Sequence, residues 1–556
     1  MLQQKVISLP RMVDSKPFWF ILFVLVAAAS RLIVINGQYH IYSWDSGNFA
    51  LACESFSLNE GRPHLPGYFL HIQLIRMLTA VTGDSMTSMN LFSVLYSSLA
   101  AGFLFLVVKR WFAQKDALLF TLLVITNPLV WYYGVVPEIY AFDLFFGICL
   151  IWMSFSPFTL TVTPAFMALG TGIRPSSGIF LLPVYVYFWY AHLKQQTISA
   201  RTALNFHIPA LIILLAWLGP LIISTGGIDG LWRVYRTNSP VEKISLWQSL
   251  FRLSSYLFYL IPPFILALIG RIFKKENLLP EESSENTYLD LHHHQLLNWW
   301  LWPSVLFFIF VHYSKGYLLI SIIPGLLLLF WSVKKNILRQ HLLLAAILIQ
   351  SAVFLFQPFL YPDPQIYFAR DERRLNPVRI WLDRTFSDYA MSRSRVTALQ
   401  ETYAFIAPLT GHEMILMNSK HYIFIDPTVM VTARALQAMF PENYFSKFLS
   451  GIRDYYGLHH DLEQEAVTGM REMLSQAIIV SRTDFVKEYL RILSPQVLSQ
   501  NQHWTAFTVK QEDVIRLERI YRELFLRQTV SQKAFCPSSL SLKTAQPDLS
   551  LRYTHR

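Results

Sequence analysis

Two acids and two bases stand out in a sequence that is otherwise strongly apolar. Asp45 follows Trp44 shortly after the first apolar stretch, and Glu138 stands at the start of a later one. Arg174 and Lys315 each lie between two apolar stretches. Ionisable side chains at membrane depth or at helix ends are costly and usually mark functional sites. A carboxylate placed there can accept a proton, and a cation can stabilise an anionic leaving group.

The composition indicates a membrane domain followed by a water-exposed one. The chain has 556 residues, of which 53% are hydrophobic and only 15% are charged, whereas soluble domains carry about 25% charged residues. The long apolar stretches end near Gln357, and the charge density then rises to soluble levels. We therefore predict a transmembrane domain over residues 1–360 and an extracytoplasmic, soluble α/β domain over residues 361–556.

Eleven stretches are candidates for transmembrane helices, each of which needs about 20 apolar residues to cross the hydrocarbon. They predict a polytopic α-helical membrane protein. The candidate spans are Phe18–Ile35, Asn90–Val108, Ala117–Tyr133, Tyr140–Phe155, Phe158–Gly172, Gly178–Tyr190, Phe206–Ser224, Ser255–Ile272, Trp299–His312, Tyr317–Trp331 and Leu342–Phe356.

Basic residues predict the orientation. With the N-terminus in the cytoplasm, the linking segments hold fourteen Lys and Arg residues on the inner side and seven on the outer side. Cytoplasmic loops are enriched in Lys and Arg, so this orientation is favoured and the region after Tyr361 lies outside. The net charge of +11 then reflects membrane topology, and no nucleic acid is expected as a partner. We expect a bacterial inner or plasma membrane, or the endoplasmic reticulum membrane in a eukaryote.

The C-terminal region shows short strand and helix patterns. The segments Glu413–Met417, Tyr422–Ile425 and Ala477–Val480 are typical of strands. Apolar residues recur at helical spacing over Asp513–Arg527, and Asp513 is the predicted N-cap.

The conspicuous polar residues all fall on the outer side of this topology. Because the topology comes from charge counting alone, the coincidence does not depend on any motif. It predicts one site at the extracytoplasmic membrane surface. The residues on that side are Asp45, His64 and Tyr68 in the first outer loop, Glu138 at the fourth span, Arg174 between the fifth and sixth spans, and Lys315 at the tenth span.

Each of these residues also has a purely structural interpretation. Asp45 is then a solvated acid beside a Ser-Gly turn, and Glu138 only caps a helix N-terminus. Arg174 and Lys315 are then long side chains that reach the interface. His64 is then a structural residue between two prolines.

The residue types fit the transfer of a sugar from a polyprenyl phosphate. The leaving group is then a lipid phosphate at headgroup level, and its developing charge needs a cation such as Arg174 or Lys315. The acceptor hydroxyl is a weak nucleophile that needs a carboxylate base, for which Asp45 is the candidate. Glu138 then orients the sugar or the acceptor, or positions Asp45. A single inverting displacement needs only one base, unlike glycoside hydrolysis with its two carboxylates.

Several short motifs occur in order across residues 18–357. Asp45 stands in a Trp-Asp-Ser-Gly motif, and residues 62–68 read Arg-Pro-His-Leu-Pro-Gly-Tyr. Glu138 lies in a Pro-Glu-Ile-Tyr-Ala motif after a Trp-Tyr-Tyr run, and residues 316–319 read Gly-Tyr-Leu-Leu, with Pro324 beyond them. Together these motifs resemble the GT-C superfamily of membrane glycosyltransferases, and within it the DUF2723 family, which is related to the protein O-mannosyltransferases.

The resemblance implies a polyprenyl-phosphate sugar donor, a glycolipid, glycan or protein acceptor, and a C-terminal domain that helps to bind the acceptor. Ser46 stands where many mannosyltransferase relatives have Glu, and Leu65 replaces a proline, so the sugar and the acceptor class stay open. Metal use varies in the superfamily and also stays open. Together with the position of these residues on one side of the topology, the resemblance implies that Asp45 and Glu138 are catalytic. The residues that it implies for substrate binding are Trp44, His64, Tyr68, Tyr140, Arg174, Lys315 and Tyr317.

Two other functions stay open. A transporter or flippase of lipid-linked saccharides would suit eleven spans with polar residues, although the sequence shows no repeated halves. A membrane scaffold would need none of the polar residues. No nucleotide is expected, because the sequence has no Gly-Lys dipeptide of a phosphate-binding loop and no Asp-x-Asp pair.

A tag fused after Arg556 should be accessible to protease only from the extracytoplasmic side, because eleven spans and a cytoplasmic N-terminus place the C-terminal region there. The measurement is protease protection of the tag in right-side-out and inverted membrane vesicles. A tag before Met1 is the control and should show the opposite pattern. Cleavage of the C-terminal tag from the cytoplasmic side would contradict this topology.

Overall fold

The chain folds into a large helical part followed by a small mixed sheet. The computed structural model describes residues 15–35, 44–58, 62–238, 261–272, 293–311, 315–331, 336–360, 404–409, 414–417, 444–447, 474–483, 495–502 and 504–517, with a few isolated positions between them. Two short 3-10 helices cover Lys315–Leu318 and Ala407–Leu409. The α-helices are α1 Lys16–Ile35, α2 Trp44–Glu54, α3 Phe69–Thr82, α4 Ser85–Val108, α5 Gln114–Ile125, α6 Pro128–Tyr133, α7 Tyr140–Ser154, α8 Pro157–Leu160, α9 Thr163–Ile173, α10 Pro175–Lys194, α11 Ala200–Ser224, α12 Ile228–Asn238, α13 Ile261–Ile272, α14 His293–Phe310, α15 Leu319–Trp331 and α16 Asn336–Leu360.

Three of the described helices are long and apolar enough to cross a membrane, judged by length and composition. They are α1 over Lys16–Ile33, α4 and α11. Shorter apolar helices cover α3, α7 and the stretch Gly316–Trp331. Each of the eleven predicted spans contains a helical segment, but the count of eleven spans stays a prediction.

Two predicted spans are interrupted rather than continuous. Ala117–Tyr133 is divided into α5 and α6, because Pro128 lacks the N–H that would continue α5. Asn127 caps α6, since its Oδ1 accepts a hydrogen bond from the backbone N–H of Leu129 at 3.1 Å. Phe158–Gly172 is likewise divided between α8 and α9, each of which has a proline in its first turn.

Close helix contacts build the core of the helical part. α4 packs against both α1 and α7. A Cβ atom at Gly102 of α4 would lie 2.7 Å from Val24 and 2.8 Å from Phe20 of α1. The missing side chain therefore lets the two helix backbones approach, as small residues do in membrane helix pairs.

A polar clamp ties α16 to α5 at the end of the bundle that the charge count places in the cytoplasm. Arg339 Nε donates to Asp116 Oδ2 at 2.6 Å, and Gln340 Nε2 donates to the other carboxylate oxygen at 2.8 Å. Arg339 Nη1 donates to the carbonyl oxygen of Val333 at 3.0 Å. Further along, Gln350 Nε2 donates to a backbone carbonyl of α5 at 2.6 Å.

The described C-terminal strands form one five-stranded sheet of order β2-β1-β3-β5-β4. β1 pairs in parallel with β2 and β3, whereas β5 runs antiparallel to β3 and β4. The strands are β1 Met414–Met417, β2 Tyr444–Lys447, β3 Ile478–Arg482, β4 Gln496–Gln500 and β5 Trp504–Thr508.

The structure matches part of the predicted C-terminal elements. β1 and β3 overlap two predicted strands, whereas Tyr422–Ile425 lies outside the described residues. β2, β4 and β5 were not predicted. The predicted N-cap is wrong, because the helix already begins at residue 511 and Asp513 lies in its first turn. An acid is favoured at both places by the helix dipole, so the residue type alone does not separate them.

Candidate active site

The first outer segment, predicted as a loop, contains the two helices α2 and α3. α2 starts at Trp44, so Asp45 lies in its first turn, where the helix dipole favours an acid. Phe49 is fully buried, and this packing outweighs the turn preference of the neighbouring Ser-Gly pair. In α3, Ile72 and Ile75 are buried at helical spacing, a signal that was present in the sequence but overlooked.

Asp45 faces His64, which the chain brings back from the turn before α3. His64 Nε2 lies 3.5 Å from Asp45 Oδ1, and the two side chains are 26% and 33% exposed. The imidazole packs against the rings of Phe49 and Tyr68, with centroids 5.4 and 5.0 Å apart. Burial lowers the pKa of His64, and the Asp45 charge only partly opposes this effect. The imidazole is therefore neutral at pH 7, so Asp45 faces a neutral ring rather than a counter-charge.

Helix α11 packs against the turn that precedes α3. Gly67 has a φ of +108°, which glycine adopts without strain, and a Cβ atom there would lie 3.0 Å from Leu221 of α11. Tyr68 follows with a φ of 44° and is only 4% exposed. Its burial raises the pKa of Tyr68 well above the ordinary value, so the phenol keeps its proton and stays a hydrogen-bond donor.

A fully buried ion pair lies at the junction of α9 and α10. Arg174 Nε is 3.0 Å from Asp143 Oδ1, and neither side chain is exposed. The Ser177 hydroxyl donates a short hydrogen bond to the same carboxylate oxygen. Among the described residues, none of the three guanidinium nitrogens of Arg174 has a hydrogen-bond partner, so Nε meets Asp143 as an ion pair and Nη1 and Nη2 have no polar partner. A guanidinium can bind an oxyanion through two such groups at once, so this side chain can hold a second anion besides Asp143.

Two tyrosine rings enclose the Arg174 guanidinium. Its Cζ lies 4.3 Å from the ring centroid of Tyr140 and 5.1 Å from that of Tyr317, which are cation–π distances. The two rings meet edge to face with centroids 5.6 Å apart. A Cβ atom at Gly316 would collide with the Tyr140 ring. The glycine therefore lets the 3-10 turn that carries Tyr317 approach α7.

Glu138 lies close to the same two rings. It precedes Ile139, which is the N-cap residue of α7, so Glu138 is not the cap itself. The residue is 7% exposed, and the Ser93 hydroxyl donates to its backbone carbonyl at 2.9 Å. The carboxylates of Glu138 and Asp45 both interact electrostatically with Tyr140 and with Tyr317. The two acids therefore lie on the same side of the helical part, around one pair of aromatic rings.

Two predicted site residues have only their backbones described. Trp44 begins α2 next to Asp45, and Lys315 begins the 3-10 turn next to Gly316. Their side chains lie outside the described part of the chain. Within that part, no three His, Cys, Asp or Glu side chains form a group that could hold a metal ion.

Several polar residues of the site region lie inside apolar stretches and were not predicted as site residues. Asp143 and Ser177 lie within predicted spans or at their edges, where the surrounding apolar pattern masks them. Arg31, inside the first span, is 1% exposed and donates from Nη1 to the backbone carbonyl of Ala27 at 3.0 Å. Gly134 leaves room for its guanidinium, because a Cβ there would collide with Nε. The cost of an ionisable residue at membrane depth was the available signal for Asp143 and Arg31.

Leucine at either member of the Asp143–Arg174 pair should lower the free energy of unfolding by about 3–5 kcal/mol, because each leaves one buried charge without its partner. The double variant Asp143→Leu/Arg174→Leu should lose less than the sum of the single losses. Thermal unfolding of the purified chain in detergent measures this coupling. Arg516→Leu is the control, because the Arg516 side chain is exposed in its 3.4 Å pair with Asp513. Its loss should lower the free energy of unfolding by less than about 1 kcal/mol. Additive losses would contradict the pairing.

Two solved structures share the fold of this chain. The crystal structure of ArnT from Cupriavidus metallidurans in the apo state has a TM-score of 0.54 and 13% sequence identity, covering 89% of this chain and 98% of the ArnT chain. The structure of ArnT from the same organism bound to undecaprenyl phosphate has a TM-score of 0.54 and 14% identity, covering 88% and 97%. No model of a protein family matches the sequence, and no curated protein is significantly similar to it.

At this level of identity the likeness concerns the fold. The predicted resemblance to GT-C enzymes is confirmed in this respect, whereas the DUF2723 subgroup receives no support and stays a prediction. With its apolar helices, the chain is an integral membrane protein, and its orientation stays a prediction. Its fold is that of ArnT, a GT-C glycosyltransferase.

Proposed function

We propose that the chain is a glycosyltransferase that moves a sugar from a polyprenyl-phosphate donor to an acceptor at the extracytoplasmic membrane surface. The observation that carries the proposal is the clustering of Asp45, Glu138 and Arg174 around Tyr140 and Tyr317. These residues come from separate segments of the chain, and the fold brings two acidic side chains and one cation to the same pair of rings. Transfer of a sugar from a phosphate carrier needs a carboxylate base for the acceptor hydroxyl and a cation for the leaving phosphate.

Arg174 is the proposed binding group for the donor phosphate. Asp143 orients the guanidinium through Nε, which leaves Nη1 and Nη2 for the phosphate oxygens. The rings of Tyr140 and Tyr317 enclose the guanidinium and restrict its position further. Preorganised positive charge of this kind stabilises the negative charge that develops on a leaving phosphate. The ArnT structure with bound undecaprenyl phosphate supports a polyprenyl phosphate as the lipid of the donor.

Asp45 is the proposed general base. The acceptor hydroxyl attacks the anomeric carbon of the sugar and loses its proton to the Asp45 carboxylate. The bond from the anomeric carbon to the phosphate oxygen breaks, and its electron pair stays on the polyprenyl phosphate held by Arg174. The neutral ring of His64 lies beside Asp45, so His64 itself does not compete as a cation for the carboxylate. Glu138 orients the sugar or the acceptor, or positions Asp45.

The proposed acceptor is a hydroxyl group of a glycolipid, a glycan or a protein. A glycolipid, a glycan or a protein hydroxyl would each meet the chemical need of the step. The C-terminal α/β sheet is the proposed acceptor-binding part, as the GT-C resemblance implies. Mass spectrometry of glycolipids and glycans from cells with and without this chain would identify the sugar and the acceptor.

A flippase of lipid-linked saccharides is the alternative function. A flippase would use Arg174 to hold the lipid phosphate but would need no general base. The product separates the two functions, since a flippase moves the lipid-linked sugar without changing a covalent bond. Detection of a new glycosidic product that depends on the Asp45 carboxylate would therefore favour the transferase.

Asp45→Asn should lower sugar transfer by about 10²- to 10⁴-fold, the usual contribution of a general base, and should leave expression and membrane insertion intact. The measurement is product formation in membranes that contain equal amounts of each variant. Asp84→Asn is the matched control, because Asp84 is an exposed helix N-cap whose Oδ2 accepts from the Thr87 N–H at 2.7 Å, and asparagine caps equally well. Normal transfer by Asp45→Asn would remove Asp45 as the base.

Arg174→Lys should raise the KM for the polyprenyl-phosphate sugar by about 10- to 100-fold, which corresponds to the loss of a charged hydrogen bond, and should change the KM for the acceptor little. Lysine keeps a positive charge opposite Asp143 but lacks the planar fork and the stacking of arginine. Steady-state kinetics with each substrate varied in turn measures the difference. Arg201→Lys, at an exposed position, is the control. An equal rise for both substrates would point to a folding effect instead.

A further inference from the structure

Helix α12 begins directly after a helix that is long enough to cross the membrane. α11 covers Ala200–Ser224 and is one of the three described helices with the length and hydropathy of a span. Gly226 and Gly227 follow with φ values of +85° and +101°, a conformation that glycine adopts readily. α12 then starts at Ile228. Only three residues separate the two helices, so α12 starts at the level where the span leaves the hydrocarbon.

One face of α12 is packed against the protein. Val234 is 6% exposed and belongs to a small apolar cluster with Trp217 and Leu221 of α11 and with Leu58 of the first outer segment. Leu231, three residues earlier, packs against the same cluster. This spacing places both residues on one side of the helix, which is therefore the side that faces the protein.

Another face of α12 exposes large apolar side chains. Ile228, Trp232 and Tyr235 are 72%, 59% and 36% exposed, and their spacing of four and three residues aligns them along one stripe. A row of this kind on a protein surface is usually a contact site for another apolar phase. Tryptophan and tyrosine are the residues that membrane proteins concentrate at the headgroup level.

Basic side chains border the apolar stripe. Arg233 and Arg236 are both exposed, and the Arg236 guanidinium lies 5.2 Å from the centroid of the Trp232 ring. Asp229 is the one acid of the helix. Arginine beside an interfacial tryptophan can bind a lipid phosphate while the ring enters the upper acyl region. The charge of this border is complementary to anionic headgroups.

We propose that α12 is an interfacial helix that lies on the bilayer and binds the phosphate groups of anionic phospholipids. Ile228, Trp232 and Tyr235 enter the boundary between headgroups and acyl chains, and Arg233 and Arg236 bind phosphates in the headgroup layer. The occupant of this surface is the lipid bilayer itself. The inference concerns neither the donor nor the acceptor and does not depend on the proposed sugar transfer.

This lipid contact also supports the segment that carries Asp45. Leu58 lies between α2 and the turn at Gly67, and it belongs to the same apolar cluster as Val234 and Leu221. A Cβ atom at Gly67 would lie 3.0 Å from Leu221 and 3.5 Å from Leu58. α12 and the first outer segment thus share one apolar cluster, which links the proposed bilayer contact to the segment that carries Asp45.

Spin labels along α12 test the proposal in the full chain. The background is Cys53→Ala/Cys149→Ala/Cys536→Ser, and single variants place a label at 228, 229, 232, 233 or 235 in phosphatidylcholine vesicles with phosphatidylglycerol. Collision rates with oxygen, which enriches in lipid, are compared with those of a water-soluble nickel chelate. Labels at Ile228→Cys, Trp232→Cys and Tyr235→Cys should collide more with oxygen, and labels at Asp229→Cys and Arg233→Cys more with the chelate.

Two outcomes would overturn the membrane contact. Equal access of the chelate to all five positions would show a helix in water, and exclusion of both reagents from positions 228, 232 and 235 would show a protein partner on the stripe. The alternating pattern supports the bilayer as the occupant.

The anionic lipid requires a second comparison. The label at Ile228→Cys should lie deeper with phosphatidylglycerol than in phosphatidylcholine alone, because each arginine near an anionic surface adds about 1 kcal/mol, or about fivefold in binding. Arg233→Gln/Arg236→Gln should remove this difference. Arg201→Gln, at the other end of α11, should retain it and serves as the matched control. Equal depth in both lipids with both arginines present would overturn the anionic part of the proposal.

Discussion

The buried pair of Asp143 and Arg174 is the constraint on which the rest of the site depends. Two opposite charges withdrawn from solvent are stable only when each keeps its partner nearby, here at 3.0 Å. Tyr140 and Tyr317 cover the guanidinium, and Gly316 leaves the space that the Tyr140 ring occupies. The start of α7, the junction of α9 and α10 and the 3-10 turn are thus held together by one cation. Any movement of one segment would separate a buried charge from its partner.

The two buried arginines, Arg339 and Arg174, differ in how many hydrogen bonds they form within the described residues. Arg339 uses Nε and Nη2 on the Asp116 carboxylate and Nη1 on a backbone carbonyl, so its bonding capacity is consumed by the protein. Its partner carboxylate is shared with Gln340. Arg174 instead contacts Asp143 through Nε as an ion pair, and none of its three nitrogens has a hydrogen-bond partner among the described residues. The same residue type therefore closes a helix contact in one place and, in our proposal, binds the donor phosphate in another.

The sequence predicted the features that depend on local composition, such as apolar helical segments. It did not predict contacts between residues that are far apart along the chain. Hydropathy located helical segments for every predicted span, and charge counting along the chain was enough to group Asp45, Glu138 and Arg174 on one side. Asp143 was not predicted as a site residue, because a single acid barely lowers the mean hydropathy of a long apolar stretch. The helices α2 and α3 were not predicted, because the Ser-Gly and Pro-Gly residues of their segment favour turns. The burial of Phe49 and its neighbours decided the local conformation instead.

The sequence by itself determined that the chain is a helical membrane protein with a set of polar residues at one end of its spans, because hydrophobic length and the distribution of basic residues are properties of local composition. Only the tertiary structure decided which of those residues meet. Arg174 pairs with Asp143, Asp45 faces His64, and α12 shares an apolar cluster with Leu58. Each of these contacts joins segments that are distant in the sequence. Such contacts depend on helix packing in three dimensions, where one glycine or one ring sets the approach of two backbones.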